Sequence, residues 1–316
     1  MALYKLGSYG QEVHDIQQRL TELGLYRSPI DGKFGGATQS AVIIFQRKHG
    51  LTADGKVGAQ TWGELFKENI PSPPIRQKSL DYRCLSLTAS FETGAGIPDS
   101  FAGISGDFDG QGISFGALQW NIGQMSLQPL LKEILRRSPA AMHEAFGAEL
   151  SVLEAVLHEN QHDALAWARS RQHPQKHFIH EPWRGKFKAL GHMPECHTVQ
   201  VDFAHNRFLR AQQMAAAYGL HSERGIALMF DITVQNGSIG ATTRSLILHD
   251  IQALPARLPE EEREVRKMRI IANRRAEAAN PRWTEDVRRR KLCIANGSGT
   301  VHGISYNLWE QFGIGL

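Results

Sequence analysis

At 316 residues, with 41% hydrophobic and 22% charged side chains, the chain has the composition of a globular protein long enough for one large domain or two unequal ones. A formal charge of +4 and a pI near 9.0 suit an anionic polymer without choosing among them. Three widely spaced cysteines (Cys84, Cys196, Cys293) exclude a disulfide scaffold, and no run approaches the ~18 apolar residues needed to cross a bilayer.

The first signal along the chain is a repeat. Asp31-Gly-Lys-Phe-Gly-Gly-Ala-Thr38 recurs as Asp54-Gly-Lys-Val-Gly-Ala-Gln-Thr61. Each copy predicts a tight turn at Asp-Gly and a helix starting near the threonine. Val13, Ile16, Leu20 and Leu23 form a helical stripe before the first copy. Ala41, Ile44 and Phe45 form one after it, and Trp62, Leu65 and Phe66 one after the second copy. Three short helices joined by Gly-rich turns are predicted for a unit ending at about residue 68.

Residues 7 to 66 resemble the three-helix peptidoglycan-binding domain of cell-wall enzymes. The resemblance is carried by Gly10-x-x-Val13, Gln17-x-x-Leu20, Leu23-Gly-Leu25-Tyr26, Ile30-Asp-Gly32, Phe34-Gly35, Thr38, Val42, Phe45-Gln46, Gly50-Leu51, Asp54-Gly-x-Val57-Gly58 and Thr61-Trp62. It implies binding of stem peptide and glycan in a shallow groove, with Tyr26, Asp31, Phe34 and Trp62 as candidate contacts. Core packing accounts equally well for the aromatic ones.

Pro71, Pro73 and Pro74 in a polar setting predict a semi-rigid linker over 69–79. A second domain, 80–316, then opens on the stripe Leu80, Cys84, Leu87 and Phe91, which ends at Glu92 before Gly94 and Gly96. A carboxyl at the C-terminal end of a buried helix meets apolar surroundings and the helix dipole. Both disfavour its charged form, the condition for a proton donor near neutral pH. Asp107-Phe-Asp109-Gly-Gln-Gly-Ile-Ser114-Phe-Gly-Ala-Leu-Gln119-Trp-Asn121 combines turn residues with short alternation and predicts a β-hairpin facing Glu92. The partner of Glu92 is Asp109, Asp107 or no carboxylate at all.

Ala89-Ser-Phe-Glu92 and Asp109-Gly-x-Gly-x-Ser114 resemble the lysozyme superfamily, and within it the bacterial chitosanases with a lysozyme-like fold. The resemblance implies Glu92 as general acid, Asp109 as general base and Ser114, in place of a threonine, holding the attacking water. Phe115-Gly-Ala-Leu-Gln119 is similar to a cleft-lining element of lytic transglycosylases, which use a single glutamate.

Farther on, residues 225–237 predict a central buried helix, with Gln235 and Asn236 at its end facing the cleft and Asp231 as a structural partner. Residues 263–291 hold eleven Lys/Arg against four Asp/Glu and read as two solvated helices or as an anionic-polymer contact. No ordered aromatic platform accompanies them, so nucleic acid is not expected as a partner. His158, His162, His173, His177 and His180 lie in one polar region without a His-Glu-x-x-His motif, and no metal or other cofactor is expected.

The expectation is thus a mainly α chain: a three-helix peptidoglycan-binding domain, then an α-rich lysozyme-like domain with a short β-hairpin. Glu92, Asp109 and Ser114 are the candidate catalytic residues. Asp107, Gln119, Asn121, Gln235, Asn236, Tyr26, Asp31 and Phe34 are the candidate substrate contacts. The expected partner is peptidoglycan, bound by a monomer without membrane insertion and cleaved in its glycan backbone as by a phage-type endolysin. A lytic transglycosylase, a chitosanase and a non-catalytic wall-binding phage protein are the alternatives. The N-terminus lacks a charged patch followed by an apolar run, so synthesis in the host cytoplasm and release to the wall through a holin or secretion system are expected.

Overall fold

The computed structural model describes residues 4–68 and 74–316. Within them are two separate apolar cores, one drawn from residues 4–66 and one from residues 80–314. In the small unit, α1 (Gln11–Glu22), α2 (Gly36–Lys48) and α3 (Ala59–Phe66) pack through Val13, Ile16, Leu20, Ala41, Val42, Phe45, Trp62 and Leu65. Two positions of the predicted stripes differ: Leu23 and Ile44 are exposed, the first because α1 has already ended.

The two copies of the repeat are held alike by a buried glutamine. Gln17 Nε2 donates to Asp31 Oδ1, the Lys33 carbonyl and Thr38 Oγ1, while its Oε1 accepts from the Asp31 and Gly32 amides. Gln46 Nε2 donates to Asp54 Oδ1, the Lys56 carbonyl and Thr61 Oγ1, and its Oε1 accepts from the Gly55 amide. The repeat therefore encodes a turn whose carbonyl, carboxylate and hydroxyl converge on one amide side chain, leaving no buried polar atom of that amide unpaired.

Of the predicted linker, residues 69–73 lie outside the described residues. Pro74–Gln77 forms a short 3-10 turn rather than extended chain. It belongs to the large unit, because Arg76 donates to Glu223 and to the Gly313 carbonyl, both at 2.8 Å.

The large unit is built on α4 (Leu80–Thr93), buried almost all round from Arg83 to Phe91 rather than along one stripe. The three-stranded antiparallel sheet β1 (Ile104–Ser105), β2 (Ser114–Phe115) and β3 (Trp120–Asn121) follows, one strand more than the predicted hairpin. Around them run α5 (Leu127–Arg137), α6 (Pro139–Phe146), α7 (Leu150–His158), α8 (Gln161–Ser170), α9 (Trp183–Gly191) and α10 (Pro194–Ala217). Helix α11 (Glu223–Gln235) is the second core helix, as predicted, and packs on α4 and α10.

The chain closes with α12 (Ala241–Gln252), α13 (Glu260–Glu277), α14 (Thr284–Asn296), the hairpin β4 (Ser298–Val301) and β5 (Ile304–Asn307), and α15 (Leu308–Phe312). The Gly-rich segment before residue 303 is thus a β-hairpin, its two-residue turn made by His302 and Gly303 at φ 51° and 80°. The two units touch at α15: Ser8 Oγ donates to Glu310 Oε1 at 2.8 Å, and Gln311 Nε2 donates to Tyr9 Oη at 3.0 Å.

Candidate active site

Both core helices end at one cleft of about 370 Å³, lined by Glu92, Ser105, Phe108, Asp109, Ser114, Gln119, Trp120, Asn121, Arg207 and Gln235 among others. Helix α4 delivers Glu92 one residue before its end, where Gly94 at φ 70° caps it in the left-handed region. The sheet forms another part of the lining. Its register aligns Ser105, Ser114 and Asn121 in one row across three strands, and all three line the cleft.

The β1–β2 loop separates its two aspartates. Asp107 Oδ1 accepts from the Gly112 amide at 2.7 Å, and Oδ2 pairs with Arg169 Nε at 2.7 Å. Burial alone would raise its pKa, but the Gly112 amide and Arg169 hold it below the ordinary aspartate value. Its own amide donates to Gln172 Oε1. Asp107 is therefore a brace that ties the loop to α8, not a cleft residue. Gly106 makes the close approach possible: a Cβ there would stand 1.8 Å from the His177 carbonyl oxygen. Asp109, two residues beyond Asp107, is exposed and lines the cleft, with Oδ1 accepting from the Gln111 amide at 3.2 Å.

Glu92 is not enclosed by apolar groups as the sequence suggested. Its Oε1 accepts from Arg290 Nη2 at 2.6 Å, and the side chain is 21% exposed. Behind it, Arg290 also pairs with Asp231 at 2.6 Å, and Lys291 Nζ pairs with the other Asp231 oxygen at 2.6 Å. Asp231 and Lys291 are fully buried. Lys291 also bonds Gln235, whose Nε2 donates to Asp286 Oδ2 at 3.1 Å. Two carboxylates and two cations thus balance in the interior. Burial drives the Lys291 ammonium down to about 8, while its two cations hold Asp231 below the ordinary value against burial. Asp231 is the structural partner the sequence suggested.

Arg290, Lys291 and Arg207 were missed as site residues. The signal was present for two of them: Val287, Arg290, Lys291 and Ile294 recur at helical spacing, so the cations share the buried face of α14. Much of the remaining basic segment is paired internally. Arg274 is held by Asp250, Arg266 by Glu262, and Lys267 by the Gly219 carbonyl. The segment is a helix pair in which Arg266, Arg274, Arg288, Arg290 and Lys291 are ion-paired within the fold.

Gln119 lines the cleft with φ at 50°, accepting from Ser105 Oγ at 2.8 Å and donating to the Gly116 carbonyl. Asn121 lines it too, its Oδ1 holding the Gln124 amide. Gln235 reaches the cleft, whereas Asn236 caps α11 and is not among the lining residues. In the small unit, Tyr26 (5% exposed) and Phe34 (2%) are core, as is Trp62. Tyr26 Oη is engaged by Gln17 and the Pro29 carbonyl, and both Asp31 contacts brace its own turn. Burial of the rings removes Tyr26 and Phe34 as primary ligand contacts, whereas Asp31 is exposed and both of its carboxylate contacts fall on Oδ1. Among the described residues, no group of three or more His, Cys, Asp or Glu could hold a metal ion.

Residues 9–65 match the family model described as "Putative peptidoglycan binding domain", so the small unit's resemblance is borne out. The chain is 43% identical over 58 residues to an N-acetylmuramoyl-L-alanine amidase, CwlM, of Mycobacterium tuberculosis, a match covering 18% of this chain and 14% of that one. It is also 43% identical over 61 residues to a spore cortex-lytic enzyme of Bacillus cereus, covering 19% of this chain and 24% of that one. The chain thus spans less than a quarter of the length of these relatives. A solved chitosanase complex aligns at 19% identity over 72% of this chain and 95% of that one, with a TM-score of 0.48.

Proposed function

We propose that the chain is a modular wall hydrolase of the endolysin kind, in which the small unit holds peptidoglycan and the large unit cuts its glycan backbone. The observation that carries the reading is one cleft lined by Glu92, Asp109 and Ser114, in a chain whose other unit matches a peptidoglycan-binding family. Glu92 protonates the glycosidic oxygen through Oε2, the oxygen Arg290 does not engage. Asp109 takes a proton from a water that Ser114 holds, and that water attacks the sugar carbon. Tethering to the wall raises the local substrate concentration for the cleft. Delivery to the wall from the cytoplasm, through a holin or a secretion system, completes the reading.

The products of wall digestion test the reaction. Hydrolysis leaves reducing-end sugars, readable by mass spectrometry of the soluble fragments. Anhydro ends would assign the attack to the substrate's own N-acetyl group, with Asp109 dispensable. Cleavage of chitosan in preference to wall would assign a chitosanase.

A further inference from the structure

We propose that Arg207 selects a glycan bearing acidic substituents over a cationic one, its guanidinium pairing with a carboxylate or acyl oxygen on the 3-oxygen substituent of a bound sugar. The inference rests on the glycan-cleaving reading above and names what that cleft discriminates.

Three ionisable side chains line the cleft: Glu92, Asp109 and Arg207. Glu92 is paired with Arg290 through Oε1, so Asp109 and Arg207 are the two lining charges without an ion-pair partner among the described residues. Arg207 comes from α10, and its Nη1 donates to the Thr233 carbonyl at 2.8 Å. That bond fixes the group against the last turn of α11, beside Gln235. Arg207 makes no ion pair among the described residues, in contrast to the buried Arg83 and Arg290. Burial lowers its pKa, and nearby Arg210 adds to that, against the attraction of Glu92. A guanidinium held partly out of water without its own counter-ion is stabilised when a ligand brings one.

The same inventory disfavours chitosan. Each glucosamine unit of that polymer carries an ammonium, yet Asp109 is the only unpaired carboxylate among the lining residues, and Arg207 repels cations. Peptidoglycan has N-acetylated, uncharged sugar nitrogens and acidic or acyl groups on alternate 3-oxygens. A guanidinium offers a free carboxylate there a two-point hydrogen-bonded contact that an ammonium cannot reproduce, and an amide-linked carbonyl a single hydrogen bond.

The test is calorimetric binding to full-length Glu92→Gln protein, with and without Arg207→Gln. Three probes are used: peptide-free wall glycan strands with free lactyl carboxylates, neutral N-acetylglucosamine oligomers, and cationic glucosamine oligomers. The peptide-free strands should lose about tenfold in affinity on Arg207→Gln, the size of one charged hydrogen-bonded contact. The neutral oligomers should bind unchanged and the cationic ones more tightly. Binding by the small unit is common to both proteins and cancels in the comparison. Equal affinities in the two proteins, or a parallel loss for all three probes as expected from damage to α11, overturn the proposal. Selective loss in this pair of variants, together with wild-type protein that cuts no glycan, would sink the hydrolase reading and leave the selectivity standing.

Discussion

Arg290 donates to Glu92 at 2.6 Å while pairing at the same distance with Asp231, so the carboxylate at the cleft and the one at the centre of the fold share a guanidinium. The carboxylate of Glu92 stands at the negative end of α4, where a helix dipole disfavours an anion. Arg290 fixes the position of Glu92 through Oε1 and leaves Oε2 to carry the proton that the reaction needs. Lys291 in turn balances Asp231.

Arg290→Gln is expected to cost about 3–5 kcal/mol, because it strips a cation from a buried, charge-balanced cluster. Thermal unfolding should show the loss. Glu92→Gln should cost far less, since that side chain reaches solvent and leaves Asp231 with both of its cations. Equal losses for the two variants would contradict the cluster's role.

The alkaline limb of activity offers a second test. With the Lys291 ammonium at about 8, raising the pH above that value removes one of the two cations on Asp231. Arg290 is then drawn toward Asp231 and away from Glu92. Glycan cleavage should fall above about pH 8. Lys291→Arg, which keeps its charge, should move that limb upward if the variant folds with its melting temperature intact. An unmoved limb in a folded variant would contradict the coupling.

Much of the helical frame was legible because apolar residues recur at helical spacing, as in Val13, Ile16 and Leu20 or Leu80, Cys84, Leu87 and Phe91. Glu92 was legible as well, since an apolar helix stops beside it at a glycine. Single buried polar side chains were not. Gln17 and Gln46 fall on the apolar face of their helices, four residues after Val13 and Val42, but only the folded turns show what their amides bind. Arg290 and Lys291 stand in a run of cations, where composition does not separate a solvated charge from a buried one and only their spacing with Val287 and Ile294 does. Tyr26 and Phe34 stood equally for core or ligand, because a turn residue's burial depends on which helix packs over it.

Gln17→Leu should destabilise the small unit by about 2–3 kcal/mol, since it leaves the Asp31 and Gly32 amides without their acceptor. Gln46→Leu should act in the same direction through Gly55. Amide hydrogen exchange reports the effect locally, with protection lost in α1–α3 and kept in α4 and α11. Unchanged protection in the small unit would contradict the proposed role of these amides.

Contact between the units should depend on pH through Glu310. Burial pushes its carboxyl up to about 7, against the Ser8 hydrogen bond and Lys5. A raised carboxyl favours folding most below its ordinary value of 4.5, and that contribution is lost as the pH rises through about 7. Between those limits, the melting temperature should decline more steeply in the wild type than in Glu310→Gln. Parallel profiles would show that the Ser8–Glu310 contact does not couple to protonation.

The most direct test is a paired measurement on Glu92→Gln: sedimentation with purified peptidoglycan, and release of soluble glycan fragments from it. The expected result is wild-type binding to the wall, through the unit at 9–65, with no fragment release. Fragment release at the wild-type rate would contradict the assignment of Glu92 as the proton donor.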